Sequence, residues 1–161
     1  MQQISILQLY ISPNHIFYGH HGKEPGKHVA SPAKTIVCHA GHGIEGDRFY
    51  DFKENYKGQI TFLEQEQVDK LAAKLELEDI DPTRLRRNVI TQGIDLNSLI
   101  GKEFTIGSMR FAGTEECSPC YWMDHAVSDG AERCLRGHGG LRARILNDGK
   151  LSPGTYPLVV A

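Results

Sequence analysis

The chain has 161 residues, of which 40% are hydrophobic and 24% charged, with a formal net charge of -2. That length suits one domain, residues 1–161, with a core of its own, and the near-neutral charge excludes a global basic field for nucleic acid or an anionic membrane, so any anion site must be local. No apolar run approaches the ~20 residues of a membrane span, and the N-terminus lacks a signal-peptide pattern, so a cytoplasmic location is expected.

Gln3 to Ile11 carries loosely alternating Ile4, Ile6, Leu7, Leu9 and Ile11 and reads as a first strand, broken by Ser12-Pro13-Asn14. Ile16 to Gly26 is rich in glycine and histidine, including His20 and His21, and reads as a polar hairpin or loop. Val29 to Val37 is a short extended region that contains Lys34. Pro32 near its middle confines it to an edge or interrupted strand.

Cys38 to Tyr50 follows, with Gly41, Gly43 and Gly46 ahead of Asp47-Arg48. Glycines let a backbone approach a ligand closely, and a glycine-rich loop ending in arginine can offer N–H groups and a guanidinium to one anion. His42 lies in this loop. An equally simple reading is a tight loop with a structural Asp–Arg pair.

Gln59 to Leu63 is a strand by composition. Glu64 to Leu77 is a helix, with Val68, Leu71, Ala72 and Leu75 on one face. Asp81-Pro82 caps a short turn that leads through Arg86-Arg87-Asn88 into the strand Val89 to Thr91. Lys102 to Gly107 and Met109 to Glu115 form a hairpin about Gly107-Ser108. Asp129 to Leu135 is a short helix, Leu141 to Leu146 a strand, Asn147-Asp148-Gly149 a hairpin turn, and Tyr156 to Val160 the last strand. Seventeen glycines, most at such turns, favour many short strands over long helices.

The second strand of the Gly107 hairpin delivers the chain to Cys117-Ser118-Pro119-Cys120, which holds two of the four cysteines. Cytoplasmic cysteines stay reduced and point to chemistry or metal more than to disulfides. Cys120 follows a proline, so the chain ahead of it is stiff. Candidate cations for a thiolate there are Lys34, His42, Arg48, Arg86, Arg87, Arg142 and Arg144, on at least four segments that a closed barrel would gather. Three other readings stand beside this one: structural zinc completed by His125, Cys134 or His138, a thioredoxin-like dithiol, and two buried inert thiols. Cys117 can also serve as a resolving thiol for Cys120.

Five stretches in this order resemble the MOSC domain: Gly43 to Arg48; Arg87-Asn88-Val89-Ile90 with Gly93-Ile94; Ile100-Gly101 to Phe104-Thr105-Ile106-Gly107; Pro119-Cys120; and Gly140 to Ile145. The resemblance runs from about Val29 to the end. It implies a mainly β fold, a closed or partly open β-barrel with a few peripheral α-helices. It implies that Cys120 carries a sulfur or ligates the metal of the molybdenum cofactor (molybdopterin); Cys117, three residues ahead, is an extra thiol and at most its assistant. It further implies that Arg87 and Asn88, with Asp47 and Arg48, line an anion-accepting pocket, extended by Lys34, His42, Arg86 and Arg144. The implied partners are the anionic pterin and either a separate cysteine desulfurase or an electron-donor protein, because the sequence includes no pyridoxal-phosphate desulfurase domain. The implied activity is a reductive oxo-transfer, for example on N-hydroxylated compounds; the alternatives are a persulfide carrier and a cofactor-binding module without turnover.

Overall fold

The computed structural model describes residues 2–13 and 30–161. The glycine- and histidine-rich stretch Ile16 to Gly26 lies outside the described residues. In chain order the elements are β1 (Gln2–Ile11), β2 (Ser31–Ala33), β3 (Ile36–His39), β4 (Gly43–Ile44), β5 (Ile60–Glu64), α1 (Gln65–Lys74), β6 (Val89–Gln92), β7 (Glu103–Ile106), β8 (Met109–Glu116), α2 (Trp122–Ala126), α3 (Ala131–Leu135), β9 (Leu141–Ile145), β10 (Gly149–Leu151) and β11 (Gly154–Val160). The main sheet runs β11-β7-β8-β9-β5-β6-β1-β2, and a further pairing of β11 with β1 closes it into a seven-stranded barrel with β2 as an appendage. The expected mainly β barrel with a few small helices is the observed fold.

β1 makes the closure possible by its length. Its first half pairs with β11, its middle with β6 and its end with β2. The register slips between Ile6 and Gln8. This bulge resets the alternation, so Ile4, Ile6 and Leu9 are all buried while Leu7 is exposed. Pro32 sits on β2 opposite Tyr10, at a sheet edge where its missing N–H is harmless.

β5 and β6 are the parallel pair, joined by α1. Every residue of β5 is buried. Phe62 and Val89 face the barrel interior, where Phe62, Phe104 and Phe111 pack with ring centroids 5.4 to 6.2 Å apart. Leu63 and Ile90 face the other way, into a second core with Val68, Leu71, Leu85, Met123, Ala131 and Leu135. Both faces of the strand are covered, so the polar residues that alternate with Ile60 and Phe62 are buried too, with Gln59 accepting from the Ile145 N–H and Thr61 donating to Asn88.

Two local expectations change, and one element is unanticipated. The helix begins at Gln65, because Glu64 is still paired in β5 opposite Thr91. The turn at Asn147 to Gly149 makes no hairpin: β10 pairs with β3 in a separate three-stranded sheet. The turn's side chains direct this, since Asn147 accepts from the Arg110 N–H and donates to the Ser108 carbonyl, while Asp148 accepts from the Ala40 N–H. Finally, α2 is too short to show a helical period, and it packs Trp122, Met123 and Ala126 inward.

Candidate functional site

β8 and β9 pair as far as Glu116 opposite Leu141, and the Cys117 N–H then donates to the Gly140 carbonyl at 2.8 Å. The chain leaves the sheet here, passes through buried Pro119 and turns into α2. Along one side of this segment runs an open cleft with a cavity volume of about 130 Å³. Five segments line it: Arg48 to Gly58, Thr61 on β5, Leu85 to Arg87, Cys117 to Met123, and Arg142 on β9. Cys117 is buried in its wall and Cys120 is exposed.

Three of the four arginines in the cleft form no ion pair with any described residue. Six ion pairs form among the described residues, and none involves Arg48, Arg86 or Arg87. Arg48 lies over the Phe49 ring at 4.4 Å and makes one long bond, from Nη2 to the Arg86 carbonyl at 3.5 Å. The buried Nε atoms of Arg48 and Arg86 have no partner. Burial first, then the Arg48 and Arg87 charges, lower Arg86 from the usual arginine range to about 10. It is therefore charged at neutral pH, and holding that charge destabilises the fold at every pH below about 10; relief comes only as the pH rises above that value. Burial also lowers Arg48, with Asp47 opposing and Arg87 adding to the effect. Arg86 has a φ of 60°, unusual for a side chain with a Cβ; strain of this kind gathers at functional sites.

Arg142 behaves differently. Burial works against its charge, but the Cys117 sulfur, by charge and by hydrogen bond, outweighs it together with Tyr56 and Glu115, so Arg142 is raised. Its Nη1 also donates to Glu115 at 3.3 Å.

The residues named from sequence divide into three groups. Cys117, Cys120, Arg48, Arg86, Arg87 and Arg142 come together in the cleft. Asp47 and Asn88 lie buried beneath it as a strut. Asn88 accepts from the Thr61 N–H and hydroxyl and donates to the Tyr10 carbonyl and to Asp47, which also accepts from the N–H groups of Ser12 and Phe49. Lys34, His42 and Arg144 do not line the cleft: Lys34 is exposed between β2 and β3, His42 pairs with Asp51, and Arg144 donates to the Asn55 carbonyl. The glycine-rich loop gives the cleft only its arginine. Its N–H groups are used internally, His42 to His39, Asp47 to Ile44 and Arg48 to Ser12.

Tyr56, Phe49 and Met123 join Trp122 in the wall and escaped the sequence reading. Phe49 and Tyr56 pack with Phe52 at centroid separations of 5.0 to 5.4 Å. Nothing in residues 49–56 has a strand or helix period that would signal such packing. Arg142 and Arg144 share a strand face by alternation, but only Arg142 reaches the cleft.

Two competing roles for the cysteines find no support here. No group of three or more His, Cys, Asp or Glu side chains able to hold a metal occurs among the described residues. The Cys-x-x-Cys pair follows the long strand of a hairpin rather than opening a βαβ unit. Burial pushes the Cys38 thiol up to about 12. We expect iodoacetamide at neutral pH to modify Cys120 in the native protein and Cys38 only after denaturation, read by peptide mass spectrometry; equal native rates at the two would contradict the placement.

A family model described as the MOSC domain matches residues 20–156. The chain belongs to the MOSC domain family. The structure of the MOSC domain is similar to that of the YuaD protein from Bacillus subtilis, with a TM-score of 0.79 and 18% identity over 99% of this chain and 97% of that one. It is similar to YiiM from Geobacillus stearothermophilus, with a TM-score of 0.68 and 14% identity over 98% of this chain and 75% of that one. YiiM from Escherichia coli gives 0.67 and 17% over 100% and 70%. At these identities the likeness is one of fold. No curated protein matches the sequence. No helix of this MOSC domain among the described residues is long and apolar enough to cross a membrane.

Proposed function

We propose that this MOSC domain binds the molybdenum cofactor in the cleft, with Cys120 as the protein's ligand to the metal, and uses it in a reductive oxo-transfer, for example on an N-hydroxylated compound. One observation carries the reading: an exposed thiol shares a cleft with Arg48 and Arg86, whose buried Nε atoms have no partner. Buried guanidiniums without an ion-pair partner call for an anion, and a thiolate is a soft donor suited to a soft metal centre. The residues present therefore fit a phosphorylated pterin bearing molybdenum.

When bound, the cofactor supplies two-electron redox chemistry at the metal. Cys120 contributes the sulfur donor. Arg48 and Arg86 bind and orient the phosphate, and the occupied charge relieves their mutual repulsion. Phe49, Tyr56 and Trp122 wall the cleft and limit the access of water. A separate electron-donor protein supplies the reducing equivalents, and the setting is the cytosol.

A second reading has its own support, because Cys117 lies in the same cleft as Cys120, and its sulfur favours the charge of Arg142. In that reading Cys120 carries a persulfide received from a cysteine desulfurase. Reduction of an N-hydroxylated substrate by the loaded protein with an artificial electron donor supports the first reading. A sulfur on Cys120 released by cyanide as thiocyanate, in protein free of molybdenum, supports the second. Bound cofactor without turnover on any substrate tried leaves a binding module and contradicts the oxo-transfer.

A further inference from the structure

The cleft contains two kinds of arginine. Arg48 and Arg86 each have a buried Nε without a partner. Arg87, 7% exposed, is held by backbone carbonyls at all three of its guanidinium nitrogens. Its Nε donates to the Gly139 carbonyl at 2.9 Å, Nη1 to Leu85 at 2.9 Å and Nη2 to Cys117 at 3.0 Å. These carbonyls belong to three segments: the approach to β6, the cysteine segment and the approach to β9.

We propose that Arg87 is a positioning residue rather than an anion ligand: it locks the cysteine segment onto Gly139-Gly140, so that Cys120 meets an anion already held by Arg48 and Arg86. The proposal rests on the anion-binding reading of the cleft. Cys117 is gripped at both ends of its backbone, its N–H by the Gly140 carbonyl at 2.8 Å and its carbonyl by Arg87. The Gly139 N–H adds a bond to the Glu116 carboxylate at 3.1 Å. The segment lies so close that a Cβ on Gly139 would meet the Cys117 carbonyl oxygen at 2.3 Å and Pro119 Cδ at 2.7 Å. Buried Pro119 makes the link from this grip to Cys120 stiff. A guanidinium is a rigid planar fork and can hold three carbonyls at once. A lysine ammonium at the end of a flexible stem keeps the charge and loses that geometry.

Arg87→Lys and Gly139→Ala separate the two roles, with inorganic phosphate as the probe and Arg86→Ala as the reference. Gly139→Ala removes no guanidinium, pushes the Cys117 carbonyl away, and provides the second variant should Arg87→Lys fail to fold. We expect both variants to bind phosphate within about threefold of the parent, whereas Arg86→Ala weakens it about tenfold or more. Phosphate should protect Cys120 from iodoacetamide roughly tenfold less well in the two variants than in the parent, and the Cys117 amide should exchange its hydrogen about a hundredfold faster. Phosphate affinity lost in Arg87→Lys to the same extent as in Arg86→Ala, with Cys117 exchange unchanged, would overturn the proposal. A parent that binds no phosphate contradicts the anion-cleft reading instead, and Cys117 exchange then decides the role of Arg87: unchanged exchange in Arg87→Lys overturns it.

Discussion

Replacing Asn88 by alanine is expected to destabilise the fold by about 3 kcal/mol, which lowers the Tm by roughly 10 °C for a domain of this size. The side chain is 4% exposed and makes four hydrogen bonds. Its loss strands the Thr61 N–H and the Tyr10 carbonyl and removes a donor from the Asp47 carboxylate. Buried groups left without partners, more than the lost bonds themselves, set this magnitude. The effect is structural, so Asn88→Ala that still folds in the cold should keep its phosphate affinity. A Tm within about 2 °C of the parent would contradict the role of Asn88 as a strut.

Removal of the two unpaired cations gives the opposite pattern. Arg48→Ala with Arg86→Ala is expected to weaken phosphate binding about a hundredfold, while the Tm of the ligand-free protein stays level or rises. The reason lies in the sign of the Arg86 shift. Burial and like-charged neighbours lower Arg86 to about 10, so the charged form destabilises the native state throughout the range below that pH, and a variant without the charge escapes the penalty. Phosphate should raise the Tm of the parent at pH 7 and leave that of the double variant unchanged; equal shifts in both would contradict a site built on these arginines.

Much of the fold was legible because its signals are local. The Gly107 hairpin, the Asp81 cap and the edge position of Pro32 each follow from one or two residues with fixed backbone preferences. The Asn147 turn misled because its asparagine and aspartate bond to other segments instead of closing a hairpin. The site was partly legible for a similar reason. Motif order pointed to Cys120, Arg48 and Arg87, but the role of Arg87 depends on carbonyls 30 and 52 residues away in the chain. The same motif joined Asp47 to Arg48, yet adjacent side chains diverge, and only the arginine reaches the cleft. Lys34, His42 and Arg144 are plausible by charge alone, and charge carries no information about which loops meet. The aromatic wall of Phe49 and Tyr56 is tertiary packing within an irregular loop, which no period in the sequence reports.

The central claim is that Cys120 and the cationic cleft hold the molybdenum cofactor. Its most direct test is molybdenum content by elemental analysis, with pterin fluorescence, on parent and Cys120→Ala purified from a host that makes the cofactor. The account predicts molybdenum and pterin approaching one per chain in the parent and molybdenum lost from Cys120→Ala. A parent with neither, or a Cys120→Ala protein with undiminished molybdenum, would contradict it.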